Sequence, residues 1–267
     1  MNFRAITAFA MLCAFVAAAA IGPELAPWDP LTPMPTVALT PPSATHIFGA
    51  DQFGRDIFSR ILVATRLDLG IAFAAVILSL ATGTALGALA GWAGGWPDRI
   101  LGRIIDTIMA FPLFVLAVGI AAGLGNSVSS VVIATAIVNL PFYARQTRSD
   151  VNRQRGAAYV EAATLAGFSP LAVIVLHIMP NIIPTLVVQS SLNMGWAILN
   201  AAGLSFIGLG VRPPEAEWGI MVSDGAANIF SGEWWMFVFP GAVLMLAILT
   251  FSLVGDALRD ILDPKRR

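Results

Sequence analysis

The sequence predicts an all-α, polytopic membrane protein with six transmembrane helices. Three observations lead there. Hydrophobic residues make up 57% of the 267 positions while charged residues make up 12%, against about 25% charged for an ordinary soluble domain. Mean hydropathy is +0.80. The charges that exist are gathered between long uncharged stretches, as expected where an ionisable group near the bilayer centre costs several kcal/mol.

Five windows contain no Asp, Glu, Lys or Arg: residues 5–23, 69–97, 107–144, 162–211 and 234–255. Each reaches the length of about 18 to 20 residues that a spanning helix needs. The third is long enough for two spans, since its 38 residues would form a rod of about 57 Å at ~1.5 Å per residue. Gly123, Gly125, Asn126, Ser127, Ser129 and Ser130 supply a turn at its middle. The predicted spans are therefore 5–22, 69–92, 108–124, 129–145, 181–207 and 234–256.

The first span follows Arg4 and ends among small residues, a pattern shared with cleavable signal peptides. Cleavage would leave five spans, and the apolar run is long for a signal segment. An uncleaved helix leads into a proline-rich loop, 23–68. Between spans four and five lies a cytoplasmic loop, 146–180. The loop 208–233 is external and the tail 257–267 internal. Under this arrangement eleven of the fifteen basic residues lie inside, leaving Arg55, Arg60, Arg66 and Arg212 outside. That excess satisfies the positive-inside bias and puts both termini in the cytoplasm.

Composition removes several chemistries. A phosphate-cradling loop ends in Gly-Lys-Ser/Thr, but the one lysine is Lys265. Two histidines, His46 and His177, and one cysteine, Cys13, supply neither a metal cluster nor a disulfide framework. A net charge of −1 argues against nucleic acid as a partner. Ser205 and His177 are the closest approach to a hydrolase pair, yet 28 residues of helix would hold them about 42 Å apart. Asp106 and Asp256, at inner helix ends, read as interfacial carboxylates rather than as the coupling groups of an ion-driven carrier.

The cytoplasmic loop is the most informative segment. Ala157–Ala166 reads as a short helix rich in strong formers, stopped or bent at Gly167. Ser169 and Pro170 have the N-cap and first-position chemistry of another helix running to His177, and Pro180 and Pro184 mark the approach to the fifth span. By itself this is equally a docking element or an interfacial helix.

Glu161-Ala162-Ala163, then Gly167, then His177, Pro180 and Asn181 resembles the EAA loop of the permease subunits of ATP-binding-cassette importers. Gly49-Ala50-Asp51-Gln52-Phe53-Gly54-Arg55-Asp56, together with Leu204-Ser205-Phe206-Ile207-Gly208-Leu209-Gly210 and Glu217-Trp218-Gly219, resembles the dipeptide, oligopeptide and nickel branch. Phe239-Pro240-Gly241 and Gly255 to Pro264 resemble the end of its second, C-type subunit. The resemblance covers residues 46–267. It departs at Ala64, Asp68 and Ala201, where relatives often carry Gly, Ser and Glu.

The resemblance implies the type I importer transmembrane fold and half of a translocation pathway working by alternating access, with no covalent chemistry in this chain. It implies a second permease subunit as a heterodimer partner, two ATPase subunits that bind ATP and magnesium, and an extracytoplasmic substrate-binding protein. The setting would be a bacterial or archaeal cytoplasmic membrane. Glu161, Ala162, Ala163 and Gly167 would couple to the ATPase, with His177, Pro180 and Asn181 supporting the loop. From side-chain polarity, Ser190, Ser191, Asn193 and Asn200 are candidates to line the pathway, because an amide facing lipid would lack partners. Gly83, Gly87 and Gly91, four apart on one face, predict close helix packing. Trp218, Trp234 and Trp235 are expected at the outer interface.

Overall fold

A computed structural model describes residues 3–262; the tail residues 263–267 of the expected cytoplasmic segment lie outside it. The described residues form helices joined by loops, with no strand among them beyond a single bridge between Ala50 and Asp56. In chain order the helices are α1 (Phe3–Leu25), α2 (Ile57–Ala93), α3 (Gly95–Ala110), α4 (Leu113–Leu124), α5 (Val128–Gln154), α6 (Ala158–Leu165), α7 (Pro170–Ala172), α8 (Met179–Phe206), α9 (Trp218–Asn228) and α10 (Trp235–Leu262). A π-helical segment, Val173–Ile178, joins α7 to α8, so Pro170–Phe206 is one helical rod of 37 residues.

Five helices have the length and apolarity of spans. A sixth exists only if α3 and α4 count as one, and these are bent by 94° about Phe111 and Pro112. The expected straight span at 108–124 is thus a 12-residue helix of about 18 Å, too short alone for a hydrocarbon layer of ~30 Å. Pro112 causes the break, because its ring excludes the preceding residue from helical backbone. Phe111 accordingly has φ −85° and ψ 147°.

Helix α2 starts at Ile57, twelve residues before the expected 69. Charge misled the expectation: Arg60 and Asp68 lie in the first turns but are buried within protein. Asp56 caps the helix, accepting from the Ser59 N–H (2.8 Å) and the Ser59 hydroxyl (2.8 Å), and its other oxygen meets His46 Nδ1 at 3.0 Å. Asp51 accepts from Arg55 Nε at 2.7 Å and faces Arg60 at 3.7 Å. Arg60 reaches the carbonyls of Pro30 (2.8 Å), Pro214 (3.4 Å) and Glu215 (3.3 Å). The charged motif at 49–60 is therefore a clasp joining two loops to the start of α2.

Trp218 and Trp235 complete this cap and are not anchors in lipid. Trp218 is fully buried and its backbone N–H donates to Asp68 Oδ2 (3.1 Å); Trp235 Nε1 donates to the Ala50 carbonyl (3.2 Å). Trp234 alone of the three is exposed. Beside Trp218, Glu217 caps α9 through the Ile220 N–H at 2.7 Å and is fully buried. Burial pushes its pKa above the ordinary glutamate value.

The central contact is α2 on α5. A Cβ at Gly83 would meet the Leu140 carbonyl at 2.8 Å, at Gly87 the Ala144 carbonyl at 2.5 Å and at Gly91 the Arg148 carbonyl at 2.9 Å. Helix packing accounts for the glycine stripe. Helix α5 runs to Gln154, so Arg145, Arg148 and Arg153 belong to it rather than to a loop.

Candidate functional site

The site is built on α6. Helix α6 buries Val160 and Ala163 against the π-helical segment and turns its other side outward. It ends in a Schellman motif: the Phe168 N–H donates to the Ala163 carbonyl (3.2 Å) and the Gly167 N–H to that of Thr164 (3.0 Å). Closure requires left-handed backbone, and Gly167 has φ +86°. An L-residue there costs about 1–2 kcal/mol. The chain then reverses into α7, where Ser169 caps by accepting from the Ala172 N–H (3.3 Å) and Pro170 takes the first position.

Two contacts fasten this foot to the rod behind it. Asn181 Nδ2 donates to the Tyr159 hydroxyl (3.3 Å) and to the His177 carbonyl (2.8 Å), while the Tyr159 hydroxyl donates to Gln154 at the end of α5. The His177 ring meets Phe168 edge-on at 5.0 Å. His177, Pro180 and Asn181 thus fall where α6 abuts the rod.

Pro180 does not break the chain ahead of the fifth span. It lies in the first turn of α8, and its missing N–H together with that of Pro184 leaves upstream carbonyls without their usual i+4 donors. The backbone widens instead, with the Met179 N–H donating to the Ile174 carbonyl five residues back.

Of the expected contact residues, Glu161, Ala162 and Gly167 are exposed, but Ala163 is turned into this chain at 6% exposure. The sequence reading missed Leu165, which is 89% exposed and lies one turn beyond Glu161 on the same side of α6. A bare leucine beside a carboxylate on a helix tip is a signal that pattern alone cannot separate from core. Glu161 and Leu165, with Thr164, Trp92, Ala93 and Arg155, line a hollow of about 630 Å³ between α6 and the inner end of α2. Arg155 donates to the Trp92 carbonyl at 2.9 Å, holding that side of the hollow.

The pathway candidates divide. Ser190 and Ser191 are half-buried on an apolar groove of about 1130 Å³ bounded by α1, α2, α8 and α10. Ser190 donates to the Leu186 carbonyl (2.8 Å) and accepts from the Tyr143 hydroxyl (3.2 Å). Asn193 and Asn200 are buried. Asn193 accepts from Gln189 at 3.0 Å and Asn200 donates to the Trp196 carbonyl at 3.1 Å. Asn193 Nδ2 has no partner among the described residues.

Five long apolar helices with a small capped foot at one end define a multi-pass membrane protein. The family model described as "binding-protein-dependent transport system inner membrane component" matches residues 83–267, and the chain belongs to that family. It is 42% identical over 266 residues to a dipeptide transport system permease protein of Alkalihalophilus pseudofirmus, covering 100% of this chain and 87% of the relative. It is 44% identical over 243 residues to the probable D,D-dipeptide transport system permease protein of Escherichia coli, covering 91% and 81%. It is 41% identical over 238 residues to the nickel transport system permease protein of the same organism, covering 89% and 86%. The chain is thus a multi-pass, non-enzymatic subunit of an ATP-binding-cassette importer.

Proposed function

We propose that this chain forms one half of the translocation pathway for di- or oligopeptides and is driven through α6 by a separate ATPase. The observation that carries the proposal is the foot itself. Glu161, Ala162 and Leu165 face outward on a helix whose C-terminal turn is fixed by Gly167 and whose inner side is clasped to the rod through Tyr159 and Asn181. Such an element transmits displacement because α6 cannot move without the base of α8. Glu161 offers a carboxylate and Leu165 an apolar knob to a recess on the ATPase.

The assembly proposed is this permease with a second permease subunit as a heterodimer, two ATPases that hold ATP and magnesium, and an extracytoplasmic binding protein. It sits in a bacterial or archaeal cytoplasmic membrane with both termini inside. Peptide as cargo is supported by the names of the dipeptide relatives. Nickel is the second reading, supported by a relative of nearly equal identity.

The test is a photo-crosslinking residue placed at Ala162 and at Leu165, combined with uptake of labelled dipeptide and of nickel in cells lacking the chain. Capture of the ATPase from both positions and loss of dipeptide uptake alone support the proposal. Loss of nickel uptake alone moves the cargo to the second reading. Crosslinks to anything but the ATPase, with uptake continuing when the ATPase is inactivated, overturn the coupling role.

A further inference from the structure

Helix α3 carries three faces. Leu101 and Ile105 are buried against Ala90 of α2 and Ala144 of α5. On the far side Trp96, Ile100, Ile104 and Phe111 are exposed at 73%, 55%, 51% and 53%. At ~100° per residue Trp96, Ile100 and Ile104 fall within an arc of about 80°, and Phe111 follows at the C-cap. Arg99 and Arg103 form a ridge along the edge of that arc, and the Arg99 guanidinium lies 5.9 Å from the Trp96 ring centroid.

The acidic residues of α3 are engaged elsewhere. Asp98 forms a two-pronged pair with Arg148, with Nη2 to Oδ2 at 2.7 Å, and Asp106 faces Arg145 at 3.3 Å. Neither Arg99 nor Arg103 has a carboxylate within ion-pair distance among the described residues. The outward ridge is therefore cationic.

The same ion pairs orient the helix. Asp98 and Asp106 are about 12 Å apart along α3, whereas Arg148 and Arg145 are about 4.5 Å apart along α5, at ~1.5 Å per residue. Helix α3 consequently runs across α5 rather than along it, in accord with its 94° bend from α4. It crosses at the charged end of α5, beside the Trp92 carbonyl where α2 terminates. That is headgroup depth for two spanning helices.

We propose that α3 lies in the plane of the inner headgroup layer, its Trp96, Ile100, Ile104 and Phe111 stripe in the acyl boundary and Arg99 and Arg103 on anionic phospholipid headgroups. Charge decides the occupant. A protein surface covering the apolar stripe would strip water from Arg99 and Arg103 and would have to bring a carboxylate to each, since the described residues of this chain offer them none. Anionic headgroups supply an acceptor to each at the depth where the stripe meets acyl chains.

The test uses the assembled transporter with Cys13→Ser and a nitroxide at Ile100→Cys, reconstituted in phosphatidylcholine vesicles or an equal mixture with phosphatidylglycerol. The expected nitroxide is mobile, reached by oxygen in preference to a water-soluble nickel chelate, at a depth just below the phosphates. An immobilised label reached by neither reagent means that a protein partner covers the stripe. A label reached by the chelate means that water does, and either result overturns the proposal. In native mass spectra of transporter taken from the mixed vesicles, Arg99→Gln with Arg103→Gln is expected to lower retained phosphatidylglycerol, by about five-fold for each arginine. Unchanged retention overturns the headgroup role. None of these readouts depends on ATPase coupling, so they fail or succeed separately from the function proposed above.

Discussion

Replacing Gly167 separates the cost of a backbone conformation from the cost of a lost contact. At φ +86° an alanine is strained by about 1–2 kcal/mol, a factor of about 5–30 in the ratio of formed to frayed foot. A Cβ at this position meets no atom of the chain within 4 Å. Crowding inside the subunit therefore adds nothing to that cost. Asn and Asp enter left-handed backbone more readily than Ala, so Gly167→Asn is expected to keep most uptake, and Gly167→Ala to lose several-fold. Gly167→Asp shares the backbone tolerance of Asn but adds a charge at the exposed end of α6 that faces the proposed ATPase recess, and it is expected to abolish uptake while the protein still inserts. The assay is peptide uptake by proteoliposomes containing the complete transporter, with ATP hydrolysis measured in parallel to reveal uncoupling. Uptake by the Ala and Asp variants equal to that of the parent would refute the docking argument. Uptake by the Asp variant equal to that of Asn, with Ala alone impaired, would show that only the turn matters.

Three further outcomes are expected. Asn181→Ala and Tyr159→Phe each remove the hydrogen bond between α6 and the rod, worth about 0.5–1.5 kcal/mol; transport should fall while ATP hydrolysis persists, and unchanged transport per ATP would argue against the clasp. Gly87→Ala drives a Cβ to 2.5 Å from the Ala144 carbonyl and is expected to cost about 1–3 kcal/mol, read as a lower midpoint of thermal unfolding in detergent. Burial holds the Glu217 pKa above its unfolded value, so the native state binds this proton more tightly; the stabilisation is complete on the acid side of the ordinary carboxylate range and fades as pH rises through the raised value. Hydrogen exchange at the first amides of α9, corrected for intrinsic rate, should therefore speed up with pH, and Glu217→Gln should flatten that slope.

The existence of each long helix was legible because lipid forbids charge over some twenty residues, a constraint one sequence displays directly. Its limits were not, because burial in protein permits what lipid forbids. Arg60 and Asp68 sit in the first turns of α2, satisfied by loops far away in sequence. Arg145, Arg148 and Arg153 extend α5 differently: Arg145 and Arg153 are exposed, and the three pair with Asp106 and Asp98 of α3 and Asp150 of α5 itself. The bend at Phe111 and Pro112 was open to prediction from Pro112, yet an uncharged window outweighed it. At the foot, the stop at Gly167 and the cap at Ser169 follow from local chemistry and lie where the pattern placed them. Which face of α6 turns outward depends on its packing against the π-helical segment, so Ala163 changed sides and Leu165 went unnoticed.

The rod from Pro170 to Phe206 touches both ends of the molecule. At one end it carries the glycine-capped foot; at the other, Ser223 of α9 donates to the Phe206 carbonyl at 2.9 Å. The widened π turn lies at its base, and no other departure from helix occurs along its 37 residues. If the foot is driven as proposed, one continuous helix carries that displacement to the opposite end, and a substitution that breaks the middle of α8 is expected to let ATP hydrolysis continue while transport stops.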